Sequence, residues 1–229
     1  MNCAIAIFVK TPGHSPVKSR LWPELGRSNA ERLHRASAAA VGSVVARACG
    51  DSAINGYWAT AEALEHVAAQ WPGHAHIAQG EGGLGLRMAN VYRALQARHG
   101  AAILIGADTP QLDAGLLRHA ADWLQSSSAR LVIGPACDGG FWLFGGNREL
   151  PESDWTGVDY STPTTAMAFT AAMDGQGDWL ELDALRDIDV LADIDPVRQQ
   201  LAALDDPTPE QARLARLLCK LVASAQDRP

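Results

Sequence analysis

Four short apolar runs stand out along the chain: Ala4–Val9, Ala53–Trp58, Ala101–Gly106 and Leu131–Gly134. They show little polar alternation, the pattern of strands covered by helices on both faces of a parallel sheet. The segments between them read as helices. Ser28-Asn29-Ala30-Glu31 has the spacing of a capping box, and the helix it predicts carries Leu33, Ser37, Val41, Val44 and Ala48 near one face. Ala61–Trp71, Leu84–His99 and Asp113–Gln125 read as further helices, each entered through a polar or glycine-containing turn. After Gly140 the rhythm changes. Phe141–Phe144 reads as a strand and Gly145–Thr162 as loop-rich, around Pro151 and Gly157. A helix near Thr164–Met173, a strand near Trp179–Leu182 and a helical tail over Pro196–Ala225, interrupted at Asp206-Pro207, complete the pattern.

Alternating strands and helices of this length predict an α/β fold, a three-layer α/β/α sandwich with a mostly parallel, Rossmann-like sheet. No internal repeat, low-complexity stretch or linker divides the chain, so a single domain over residues 1–229 is expected.

Composition narrows the function. A net charge of −7 gives no basic field for nucleic acid or anionic membranes. No run approaches the ~20 apolar residues of a membrane span. The four cysteines, Cys3, Cys49, Cys137 and Cys219, form no CxxC pair, which points to reduced thiols in a cytoplasmic protein. A polyanionic ligand would need local cations to overcome the acidic background.

In an open α/β sheet, ligands bind outside the carboxyl ends of the strands. After the first run comes a loop holding Lys10, Thr11, Pro12, Gly13, Lys18 and Arg20, with cations beside turn-forming residues, suited to a di- or triphosphate. A solvated surface loop is the plainer reading. The third run leads into Asp108-Thr109-Pro110, where a carboxylate is placed to hold Mg²⁺ or Mn²⁺, or to cap the turn before Asp113. The fourth leads into Asp138-Gly139-Gly140-Phe141, where Asp138 could meet a substrate hydroxyl or form a hairpin turn. Asp187 and Asp189 stand two residues apart, so an extended segment would turn both to one cation, unless Asp189 caps a helix. Gly80-Glu81-Gly82-Gly83-Leu84-Gly85 matches GxGxxG, but not on the first strand, where dinucleotide-binding folds carry it. His74 and His76 would share a strand face without a third metal ligand.

Together these segments resemble a bacterial GT-A-like glycosyltransferase family of the nucleotide-diphospho-sugar transferase superfamily, some of whose members are linked to arsenosugar biosynthesis. The matching pieces are Phe8–Gly13 with Ser15–Leu21, Leu84–Met88, Ile105–Pro110, Gly134–Phe141, Tyr160–Thr164 and Asp187–Asp189. The resemblance implies a nucleotide-binding half at 1–135, an acceptor and metal half at 136–195 and a helical tail at 196–229. It also implies that the first loop holds phosphates and that Asp108 is the main ligand of a divalent metal. The late pair, Asp187 and Asp189, would add to that site. Gly139, Gly140, Phe141 and Thr162 would meet the sugar or acceptor. This chain departs from the family pattern after Asp189, where Val190-Leu191 replaces Thr-Pro.

The expected reaction moves a glycosyl group from a nucleotide-diphosphate donor to a small acceptor. Asp108 with its metal and Lys18, Arg20 and Arg87 would stabilise the departing diphosphate, and Asp138 would activate the acceptor hydroxyl. Nucleotidyl transfer with pyrophosphate release is the alternative, and a catalytically silent nucleotide-binding protein the third reading. The first loop holds one glycine, Gly13, and two prolines, Pro12 and Pro16, which favours glycosyl over nucleotidyl transfer.

Overall fold

The computed structural model describes residues 2–50 and 53–226, with only the backbone described over 223–226. Met1, residues 51–52 and 227–229, which the expected single domain includes, lie outside the described residues. Seven strands form one sheet: β1 (Asn2–Val9), β2 (Ile54–Thr60), β3 (Ala75–Ala78), β4 (Gly100–Gly106), β5 (Arg130–Pro135), β6 (Phe141–Gly146) and β7 (Asp178–Glu181). Their spatial order is β3-β2-β1-β4-β6-β5-β7, and β6 alone among them runs antiparallel to its neighbours. The helices are α1 (Trp22–Leu25), α2 (Arg27–Cys49), α3 (Leu64–Val67), α4 (Leu84–His99), α5 (Ala114–Leu124), α6 (Glu152–Thr156), α7 (Thr165–Ala172), α8 (Leu191–Ala202) and α9 (Pro209–Gln226).

This is the α/β fold with a mostly parallel sheet that the apolar runs predict. Burial on both faces explains their lack of alternation. Cys3, Ile5, Ile7 and Val9 of β1 face the core under α2 and α5, while Ala4 and Ala6 face the opposite core. That second core needs small residues on β1 because Tyr92, Phe144, Trp155 and Phe169 fill it with rings. A third cluster packs α8 and α9 against α2 through Leu33, Ile194, Val197, Leu214 and Leu218. Each fully buried Leu or Ile contributes about 1.5–3 kcal/mol by leaving water.

Two local expectations change. The capping box at Ser28 does not form. α2 begins at Arg27 with Gly26 at its cap, because the short helix α1 feeds directly into it, leaving Ser28 inside the first turn. A reciprocal box forms instead at the start of α9, where Thr208 N donates to Gln211 Oε1 at 2.8 Å and Gln211 N to Thr208 Oγ1 at 3.2 Å. The helix expected over Ala61–Trp71 shrinks to α3 and a 3₁₀ turn at Ala68–Gln70. Among the described residues, no helix is long and apolar enough to cross a membrane.

The topology fixes where a ligand can sit. From β1 the chain steps outward to β2 and β3, then returns to place β4 on the other side of β1. The strand order therefore reverses between β1 and β4, opening a crevice at their carboxyl ends.

Candidate active site

A cavity of about 420 Å³ occupies that crevice, lined by Val9 and Lys10 after β1, Lys18 and Arg20 further along the loop, Asp108 after β4, and Asp189. The loop base is tied down before it reaches the cavity. Thr11 is fully buried, its N–H donating to Glu62 Oε1 at 2.9 Å while its Oγ1 accepts from Trp71 Nε1 at 2.9 Å. Thr11 O accepts from both His14 N and Ser15 N. Arg35 donates to Pro12 O at 3.2 Å. Gly13 takes φ +93° at the loop tip, in open space. Thr11, Pro12 and Gly13 thus build the loop, and Lys10, Lys18 and Arg20 reach the cavity.

Lys18 lies at the centre of the charged group. Its ammonium is 2.8 Å from Asp108 Oδ1 and 3.1 Å from Asp189 Oδ1, and it donates to Ile188 O. Burial opposes its charge, but the two carboxylates overcome this and raise its pKa. For Asp108 burial again opposes charge, and Lys18 with His34 holds the carboxyl below its usual range. Arg20 stands 3.7 Å from Asp189 Oδ2, largely in solvent. His34, on the buried face of α2, donates through Nε2 to Lys10 O at 2.8 Å, leaving Nδ1 3.8 Å from Asp108 Oδ1.

The late aspartates arrive on a strap that crosses the crevice. Ile188 N donates to Asp108 O at 3.0 Å, and Gln111 Nε2 to Arg186 O at 2.8 Å. On its other side, Cys137 N donates to Leu185 O at 2.9 Å. Burial pushes the Asp187 carboxyl up to about 8, reinforced by Asp108, Asp138 and Asp189 against the opposing charge of Lys18. No side-chain hydrogen bond or ion pair reaches that carboxyl among the described residues. Asp189 does not cap α8. Asp193 does so, its Oδ2 accepting from Asp189 N at 3.0 Å and Val190 N at 2.9 Å.

Asp138 is exposed in the turn joining β5 to β6, and its Oδ1 accepts from Gly140 N at 2.9 Å. Gly139 is required there: its φ is +92°, and a Cβ would stand 2.0 Å from Pro163 O. Gly139 O accepts from Ala166 N at 2.9 Å, seating the turn on the segment that holds Thr162, whose N–H donates to Thr165 Oγ1 at 3.1 Å. Phe141 packs on Phe169 with ring centroids 4.7 Å apart. Arg87 lies in the first turn of α4, away from the cavity lining, and its Nε donates to Gly82 O at 2.9 Å. In the GxGxxG match, Gly85 serves helix packing, since a Cβ would stand 2.3 Å from Trp155 O. His74 and His76 both bond backbone carbonyls, of Gly42 and Trp71.

The cavity also recruits residues not singled out in the sequence, His34 and Gln79. A signal existed for His34, which follows Leu33 and precedes Ser37 by one turn on the buried face of α2. Among the described residues, no three His, Cys, Asp or Glu side chains form a metal cage by themselves.

The profile of a bacterial family described as "uncharacterized protein conserved in bacteria (DUF2064)" matches residues 40–162. The chain belongs to that family. No curated protein matches the family member by sequence. Among solved structures, it is similar to a protein from Desulfovibrio desulfuricans G20 provisionally named a nucleotide-diphospho-sugar transferase, with TM-score 0.84 and 23% identity over 98% of this chain and 99% of that one. It is less similar to a nucleotidyl transferase from Methanothermobacter thermautotroptrophicus, with TM-score 0.58 and 14% identity over 89% and 99% of the two chains. A cytidylyltransferase from Leptospira borgpetersenii gives TM-score 0.56 and 11% identity over 100% and 98%. The DUF2064 chain therefore has the fold of the nucleotide-diphospho-sugar transferases.

Proposed function

We propose that this DUF2064 protein is a divalent-cation-dependent transferase that moves a glycosyl group from a nucleotide-diphosphate donor to a small acceptor. The carrying observation is the cavity at the β1–β4 crevice, where the cationic loop from Lys10 to Arg20 faces Asp108 and Asp189. The donor set fits a hard cation. Asp187 is crowded by three other carboxylates and no ion pair reaches it among the described residues, and Asp108 keeps part of its side chain exposed to the cavity. Mg²⁺ is commonly held by one or two carboxylates completed by ligand phosphates, a role that suits Asp108 and Asp187. When bound, such an ion supplies positive charge against a departing diphosphate.

The chain's own groups do the rest. Lys10 and Arg20 meet the phosphates from the loop. In this reading Gly139, Gly140, Phe141 and Thr162, which lie outside the cavity lining and beyond the strap, meet the sugar or acceptor. The anomeric C–O bond to the diphosphate breaks as the acceptor oxygen bonds to the same carbon, and Asp138 takes the acceptor proton. That arrangement gives inversion at the sugar carbon.

One observation favours glycosyl over nucleotidyl transfer. A loop that wraps a triphosphate needs a run of free backbone N–H groups. Here those of Thr11, His14 and Ser15 are already bonded, and Pro12 and Pro16 have none. A panel of UDP-, GDP- and dTDP-sugars with Mn²⁺ tests the reading by thermal melting. One donor at a hundredfold excess over its Kd adds about 2.7 kcal/mol, raising Tm by roughly 5–10 °C. Asp108→Asn removes that shift. Pyrophosphate release from a nucleoside triphosphate supports nucleotidyl transfer instead, and no shift with any donor overturns both readings.

A further inference from the structure

We infer that Lys18 is a positioning residue that clamps Asp108 to Asp189, and that ligand phosphates are met by Lys10 and Arg20 and not by Lys18. An ammonium has three N–H donors. Around Lys18 Nζ stand three oxygens: Asp108 Oδ1 at 2.8 Å, Asp189 Oδ1 at 3.1 Å and Ile188 O. Two of its donors are spent on Asp189 Oδ1 and Ile188 O, and the ion pair with Asp108 occupies the remaining side of the ammonium. Its side chain is 3% exposed, against 69% for Arg20. The backbone supports the same role. Lys18 has φ +48°, and Ser161 is the other non-glycine with positive φ among the described residues. Bulky side chains rarely adopt that region, and they persist there when their surroundings over-determine them.

The clamp joins segments far apart in the chain, since Lys18 and Asp189 are 171 residues apart. It also divides the labour among the carboxylates. While the ammonium lies between Asp108 Oδ1 and Asp189 Oδ1, no divalent ion can bridge those two atoms. Asp189 is left as a clamp partner, and the outer part of Asp108, with Asp187 near it behind the cavity lining, is left for a cation. The phosphate clause rests on the proposed function; the clamp does not.

The chain has three lysines, Lys10, Lys18 and Lys220, so reductive methylation read by peptide mass spectrometry resolves each one. In the free protein Lys10 and Lys220 react readily, and Lys18 reacts at least ~10-fold more slowly, as a protected group does. UDP with Mg²⁺ slows Lys10 and leaves the Lys18 rate unchanged. Asp189→Asn, with its fold checked by circular dichroism, raises the Lys18 rate. Lys18 reacting as fast as Lys220 in the free protein, or staying equally protected in Asp189→Asn, overturns the clamp. Selective protection of Lys18 by UDP overturns the phosphate clause. A UDP effect on no lysine defeats the proposed nucleotide site while leaving the clamp arms readable.

Lys18→Met separates positioning from simple structural support. Freed of the ammonium, Asp108 and Asp189 become available to metal, so Mn²⁺ affinity measured by electron paramagnetic resonance without nucleotide rises about tenfold, as expected where a like charge is removed. Unchanged or weaker Mn²⁺ binding in folded Lys18→Met counts against the clamp.

Discussion

The loop after β1 lines the cavity, the turn after β5 lies beyond it on the far side of the 185–189 strap, and the two are held by different means. The loop hangs on side chains: Glu62 and Trp71 grip Thr11, Arg35 grips Pro12 O, and His34 grips Lys10 O. The turn after β5 relies on backbone. Gly139 fits under Pro163 because it lacks a Cβ, Gly139 O accepts from Ala166 N, and Cys137 N reaches Leu185 O. Side-chain anchoring fixes where charges stand. Backbone anchoring fixes shape and leaves the turn's outer surface free to meet a ligand. The strap at 185–189 touches both, through Leu185 on one side and through Ile188 and Lys18 on the other.

The contrast breaks most severely at Gly139. Gly139→Ala forces a Cβ to within 2.0 Å of a backbone oxygen, at a φ of +92°. Neither the carbonyl of Pro163 nor the turn can yield cheaply, so a loss on the order of 3 kcal/mol is expected from strain and overpacking together. In a domain of this size that lowers Tm by roughly 6–12 °C. Because the damage falls on the backbone-held side, the Tm increment produced by a donor nucleotide with Mn²⁺ should survive in Gly139→Ala. Loss of that increment along with the stability would show that the two sides are one unit.

The same contrast marks what the sequence could reveal. Strands β1, β2, β4 and β5 were legible because burial on both faces leaves an uninterrupted apolar run. Helix α4 was legible to its ends, since Gly80–Gly83 and Gly100 bound it. Capping was less so. Ser28-x-x-Glu31 and Thr208-x-x-Gln211 both have the right spacing, and only the second stands at a helix start, because α1 runs into α2 through Gly26. The strand-end carboxylate Asp108 could be picked out from its place after an apolar run. Its pairing with Lys18 could not, for nothing local links residues brought together by the crossing of a strap from the far end of the chain. Whether Asp189 or Asp193 caps α8 was equally invisible; it depends on Asp193 Oδ2 reaching back to two N–H groups.

On the side-chain-held face, the informative change is Trp71→Phe. It keeps an aromatic ring against Trp58 and His34 but removes the donor to Thr11 Oγ1, leaving that hydroxyl buried without a partner. An unsatisfied buried hydroxyl of this kind costs about 1–3 kcal/mol. Tm should fall by roughly 2–12 °C, and by less than for Gly139→Ala if the burial of the ring is retained. Here the donor-induced Tm increment should shrink as well, since Lys10 and Arg20 depend on the loop's base. A full increment in Trp71→Phe would mean that the cations hold their positions without the anchor.

Histidine protonation provides the mildest probe, and it acts on one side alone. All seven histidines lie before residue 120, so none stands in the turn after β5 or on the strap. Away from the cavity, His74 donates through Nε2 to Gly42 O at 2.8 Å, and burial lowers its pKa below the ordinary 6.5, aided by His76. With the folded pKa depressed, the unfolded chain takes up the proton first. The stability tied to neutral His74 is therefore complete above pH ~6.5 and is lost as pH falls through the folded value. His74→Gln keeps an amide donor for Gly42 O and removes the titration. Measured by thermal melting between pH 7.5 and 5, the native protein should lose about 1–2 °C more than His74→Gln, given the few degrees per kcal/mol expected at this size. Parallel pH profiles for the two proteins would show that His74 stays equally solvated in both states and that acid sensitivity arises from other groups, the Asp187 carboxyl on the strap among them.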